Sequence, residues 1–154
     1  MATKVTPKAQ KFSMVGQEIL SQGRTTEVLA QTDMTIVTAK LYAEGGENTL
    51  HTHAEQDHGF FVIQGQALFH DEDDHITPVG KFDGILLPAG AYYWFHADGD
   101  ENLVMLRFSS ELSPNGGRER DDDRLGINGK PLPGNSIENK AVERIPATGE
   151  FFGA

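Results

Sequence analysis

Residues 51–65 read HTHAEQDHGFFVIQG, and they place His51, His53 and His58, three of the chain's six histidines, just ahead of an apolar run. A solvated loop has no use for Phe-Phe-Val-Ile, and a plain core strand has no use for imidazoles that each need a polar partner once buried. On a strand, residues i and i+2 share a face, roughly 6.5 Å apart along the chain. His51 and His53 therefore point the same way and can converge on one ion. His58 lies an odd offset beyond His53, which on an unbroken strand would send it to the other face. The polar AEQD between them reads as a turn that resets the register. The stretch is then strand, turn, strand, with three imidazoles on one interior and Phe60 and Val62 continuing the inward face.

Outward from this stretch the chain is a series of short β-runs. TIVTAKLYA (35–43) is rich in β-branched and aromatic residues, and GGENT follows as a turn. HGFFVIQ (58–64), Gly65 and QALFHD (66–71) suggest a hairpin, with DEDDH as its tip or next loop. GILLPAG (84–90), AYYWFHA (91–97) and NLVMLRFSS (102–110) complete the series, the last two parted by DGDE. Strands of this length at 8–12-residue spacing predict an all-β sandwich or barrel. SMVGQEILSQ (13–22) reads as a short helix or an edge strand. From Leu112 the chain holds four of the seven prolines and seven of the seventeen glycines, and reads as extended and irregular. Phe151 and Phe152 argue that this end lies on the barrel or on a partner subunit. The expected division is an N-terminal arm (1–30), a single antiparallel β-barrel or jelly roll (31–112) and an extended C-terminal arm (113–154).

Composition narrows the chemistry. With 154 residues, one domain is expected, and 38% apolar content is that of an ordinary globular chain. No apolar run approaches the ~20 residues a membrane span needs, and MATKVTPKAQKF is not followed by a secretory h-region. There is no cysteine, which removes disulfides, thiolate metal sites and a cysteine nucleophile and fits a cytoplasmic setting. A net charge of −10 repels phosphate backbones, so nucleic acid is not an expected partner. The runs 71–74 and 121–123 read as solvated acidic loops without the EF-hand pattern.

The spacing of residues 45–65 resembles the first motif of the cupin superfamily: Gly45, GENTL, His51-Thr52-His53, AEQD, His58, GFFVIQ, Gly65. His58 stands where the family usually has Glu. The second motif is matched by Pro88-Ala89-Gly90, with Tyr93 in the place of its His and Ala97 in the place of its Asn. The resemblance covers about residues 35–110. It implies a small barrel holding one divalent transition metal per chain, with His51, His53 and His58 as ligands and Tyr93 facing the ion. An all-imidazole set adds no ligand charge and suits Fe, Zn or Ni ahead of Mn. Tyr93 is the candidate catalytic residue, binding the metal as phenolate or moving a proton beside it; it is otherwise a hydrogen-bonded core tyrosine. Plain alternation points His96 away from the interior, and a bulge would bring it in as a further ligand.

Phe60, Val62 and Phe95 are the expected substrate-pocket walls, suited to an apolar or aromatic small molecule carrying an oxygen. Tyr92 and Trp94 fall on the outer face, where a homodimer contact is expected. His70 and His75 read as surface residues. Glu55 and Asp57 are expected to be solvent-exposed, with orientation of a ligating imidazole as their other role. The leading function is Lewis-acid and proton-transfer chemistry of isomerase, cyclase or lyase type. An Fe(II) dioxygenase and a non-catalytic ligand- or metal-binding cupin are the alternatives.

Overall fold

The computed structural model describes residues 7–115, 124–134 and 136–147. The acidic run 121–123 and the pair Phe151 and Phe152 lie outside the described residues. Twelve strands follow in chain order: β1 (Leu20–Gln22), β2 (Arg24–Gln31), β3 (Thr35–Tyr42), β4 (His51–His53), β5 (Gln56–Gln64), β6 (Gln66–His70), β7 (Ile76–Val79), β8 (Gly84–Leu87), β9 (Trp94–Asp98), β10 (Leu103–Glu111), β11 (Arg124–Gly126) and β12 (Ile145–Pro146). The one helical element among the described residues is a 3₁₀ turn, Ile137–Asn139. Among the described residues no helix is long and apolar enough to cross a membrane.

A five-stranded sheet runs β2-β3-β10-β5-β8 and a three-stranded sheet runs β7-β6-β9. Every named pairing is antiparallel, including the small pairs β4–β11 and β1–β12. The two sheets close on a shared core. Tyr42, Phe60, Val62, Leu103 and Met105 come from the larger sheet, and Ala67, Phe69, Val79 and Phe95 from the smaller. Phe60, Phe69 and Phe95 meet across the gap at centroid distances of 5.4, 4.8 and 5.4 Å. Alternation decides which residues enter: β5 buries Gln56, His58, Phe60 and Val62 and leaves Phe61 exposed. The all-β jelly-roll class expected from the short strands is the observed one.

The hairpin expected around Gly65 is corrected. β5 bonds to β10 and β8, whereas β6 bonds to β7 and β9, so the chain changes sheet at this glycine instead of folding back. Gly65 has φ +80°, and a Cβ there would sit 2.9 Å from the Asn102 carbonyl oxygen, so only glycine fits the corner. The real hairpin comes next, β6–β7 with residues 71–75 as its tip. Residues 13–22 end in edge strand β1, and β2, RTTEVLAQ, pairs with β3 at the sheet edge with a bulge at Leu29. On the C-terminal side, β11 lies on β4 and β12 on β1, so described parts of this segment return to the body of the fold.

Candidate metal centre and adjoining cavity

Strand β4 and the start of β5 meet at the bend Ala54–Glu55, which lets both strands aim imidazoles inward. His51 is fully buried and His58 is 2% exposed. The His53 ring lies 5.2 Å from His51 and 4.0 Å from His58, centroid to centroid. A single bridge pairs His51 with Tyr93, holding the tyrosine ring 4.4 Å from His51.

The tautomers follow from the partners. His51 Nδ1 lies 2.7 Å from the Thr49 carbonyl, which can only accept, so Nδ1 carries the proton and Nε2 keeps a lone pair. That Nε2 is buried and has no hydrogen-bond partner among the described residues. Thr49 is itself held by Asn139, whose side-chain oxygen accepts its N–H at 3.1 Å, so the 3₁₀ turn buttresses the ligand from behind. Burial, with Arg124 and His53 adding to it, pushes His51 down to about 2 and keeps it neutral.

His58 sits in a directed chain. Tyr93 O–H lies 3.1 Å from His58 Nδ1, His58 Nε2 donates to Gln56 Oε1 at 2.8 Å, and Gln56 Nε2 donates to the Glu111 carboxylate at 2.6 Å. The carboxylate fixes the direction, because it can only accept: the amide must present its oxygen to His58, and His58 then accepts at Nδ1 from the phenol. Burial first, then His53 and Arg107, lowers the His58 pKa. Gln56 and Glu111 were not singled out from sequence. Their only signal is the inward register they share with His58 and Ser109 on the paired strands β5 and β10.

His96 does not join this group. It keeps plain alternation on β9 and lies with Trp94 and His70, centroids 5.4 and 5.3 Å away, on the face opposite Tyr93 and Phe95. The bulge that would have turned it inward is absent from the β6–β9 register. His70, expected at the surface, is buried at 8% exposure, stacked on Trp94 at 4.0 Å and bonded to Asp74. Phe60, Val62 and Phe95 are at most 3% exposed and are packed into the core cluster. Asp57 is half-buried and accepts the Ala89 N–H at 2.8 Å, which pins the Pro88-Ala89-Gly90 turn to β5.

A cavity of about 460 Å³ opens on the neighbouring part of the interior, lined by Arg24, Lys40, Tyr42, Arg107 and Arg124 among others. β-register explains the gathering: Arg24 pairs with Tyr42, Lys40 with Met105, Arg107 with Thr38 and Phe60, and Arg124 with His53. Burial and the three guanidinium groups hold Lys40 well below the usual lysine range.

A family model described as a cupin domain matches residues 40–108. The chain carries a cupin domain. Solved structures with similar folds include a conserved double-stranded β-helix protein from Klebsiella pneumoniae (18% identity, TM-score 0.54, 60% of this chain and 80% of that one). An RmlC-like cupin protein from Desulfovibrio desulfuricans is similar at 17% identity and TM-score 0.51, over 71% of this chain and 96% of that one. A protein described as a candidate sugar phosphate isomerase from Acidithiobacillus ferrooxidans is similar at 21% identity and TM-score 0.51, over 58% of this chain and 60% of that one. At these identities the likeness shows the fold alone. No curated protein sequence matches the chain.

Cupins often hold a divalent metal, and this cupin offers two places to look. His51 fits such an ion well: a neutral, dry imidazole with Nε2 unpartnered and Nδ1 anchored. His58 fits only by giving up one of its two ring contacts. Elsewhere, Asp71, Asp73 and His75 bring donor atoms within 4.8 Å of one another at the β6–β7 tip. That group is largely exposed, and Asp71 already accepts the N–H groups of Asp73 and His75.

Proposed function

We propose that this cupin is a metal-dependent enzyme that moves a proton on a small, carbonyl-containing organic molecule, as an isomerase, cyclase or lyase does. The observation that carries the reading is the chain from Tyr93 through His58 and Gln56 to Glu111. Its polarity is fixed end to end, and it is buried, so the phenolic proton has one defined acceptor, His58 Nδ1. A divalent ion held by His51 and His53 would supply the Lewis acid that polarises the substrate oxygen, with His58 keeping its contacts to Tyr93 and Gln56. Tyr93 then gives up or takes the substrate proton at its phenolic oxygen, while His58 holds the phenol in line. Gln56 and Glu111 keep His58 in one tautomer, and the aromatic core around Phe60 and Phe95 excludes water.

The test has two parts. Metal analysis of protein purified without a histidine tag should find about one divalent ion per chain. Tyr93→Phe should then lower turnover by about 10²-fold or more while metal content stays the same. Oxygen consumption with bound iron would replace this reading with a dioxygenase, and a co-purified ligand with no turnover would replace it with a binding module. A homodimer is part of the proposal: the outer face of the larger sheet carries Phe61, Leu86 and Phe108 at 40, 69 and 40% exposure on neighbouring strands.

A further inference from the structure

In a chain of net charge −10, four cations line one interior cavity. Their hydrogen bonds among the described residues go to neutral oxygens. Lys40 Nζ donates to Thr26 Oγ1 at 2.8 Å, and Arg107 reaches Thr38 Oγ1 at 3.5 Å. Arg124 donates to Asn139 Oδ1 at 2.9 Å, and Arg24 donates to the carbonyls of Glu47 and Gly134 at 3.1 and 2.6 Å. The Nε atoms of Arg107 and Arg124 are buried with no hydrogen-bond partner among the described residues. Lys40 is 9% exposed and faces the cavity. Like charges held this close cost folding free energy, and apolar side chains in the same inward places would be more stable. Arg107 and Lys40 also lie close enough to His58 to act on its charge.

We propose that this cavity binds the oxyanion group, carboxylate or phosphate, of a small organic anion, so that the substrate of the neighbouring imidazole site is anionic. The guanidinium forks suit a planar or tetrahedral oxyanion, and Lys40 supplies a fourth donor group from β3. The anion neutralises the cluster and is held beside His58 and Tyr93. The part that names the substrate rests on the function proposed above; the anion site does not.

Calorimetric titration of the full chain with malonate, and separately with inorganic phosphate, at matched ionic strength tests this. At least one should bind one per chain, malonate marking a carboxylate site and phosphate a phosphoryl site. Arg107→Gln, Lys40→Met and Arg24→Gln should each weaken that binding tenfold or more. The same substitutions should leave the ligand-free melting temperature unchanged or raised, since each removes a repelling charge. No binding of either anion by the wild-type chain overturns the proposal. So do variants that bind as tightly as wild type, or variants that melt lower and bind normally. Repeating the titration on His51→Ala with His53→Ala separates the two readings. Anion binding that persists in this variant while its metal is lost sustains both sites. A wild-type chain that binds anion but holds no metal keeps this site and removes the metal reading, and a wild-type chain that holds metal but binds neither anion does the reverse.

Discussion

The inner and outer histidines of this cupin make an informative pair of groups. His51, His53 and His58 turn toward the interior from β4 and β5, and His51 and His58 are held neutral by burial. His70 and His96 lie on the other face of β6 and β9, stacked with Trp94, and His75 sits exposed at a loop tip against Asp71. Residue type is the same in both groups. What differs is register and company: His70 also has Nδ1 anchored, on Asp74, and a buried Nε2, but it stacks on Trp94 on the outer face, whereas His51 faces His53 and Tyr93. A metal site needs an imidazole with one nitrogen anchored and the other dry and unclaimed, and His51 meets that description.

The largest expected effect that separates the groups is metal loss. His51→Ala with His53→Ala should reduce bound divalent metal to below about a tenth of stoichiometric, whereas His70→Ala with His96→Ala should retain it. Elemental analysis of both proteins checks this, and equal loss in both would erase the distinction. Next comes Gln56→Leu, which removes the donor to Glu111 and the acceptor for His58. A destabilisation of about 1–3 kcal/mol is expected in urea unfolding, the cost of leaving buried polar groups unsatisfied.

The third effect is on pH. The folded His51 pKa of about 2 lies below the unfolded value of about 6.5, so below pH 6.5 the unfolded chain takes up a proton that the folded chain refuses. Stability present above pH 6.5 is therefore lost as the pH falls. Metal-free wild type should lose about 2 kcal/mol more than His51→Ala between pH 7 and pH 5. His58, whose pKa is lowered in the same direction, adds to the wild-type loss in both proteins. Parallel pH–stability curves would show that His51 titrates as freely folded as unfolded. The smallest effect belongs to the outer group: His96→Ala should change stability by about 0.5 kcal/mol or less, because it removes one half-buried stacking contact.

The same contrast shows what was legible in the chain and what was not. The inward trio was readable because strand, turn and strand are contiguous in residues 51–65, and local alternation decides their facing. His96 was ambiguous because a single bulge would have reversed it. The hairpin at Gly65 was misread because a glycine between two β-runs marks a sheet-changing corner as well as a turn, and only the approach of Asn102 tells them apart. Strand β2 was hidden by its polar, edge-strand composition. The cationic cavity was invisible: its residues come from positions 24, 40, 107 and 124, on four strands that only the pairing register brings together. The sole local trace is Lys40, a lysine inside a strand buried along almost its whole length.

The central claim is that the two imidazoles of β4 hold one cation in the interior beside Tyr93. Anomalous diffraction at the absorption edge of the co-purified metal tests it most directly. The account predicts one peak per chain next to His51 Nε2, within coordination reach of His53. A peak at Asp71, Asp73 and His75 instead, or an interior without metal in protein shown to contain it, would contradict the account.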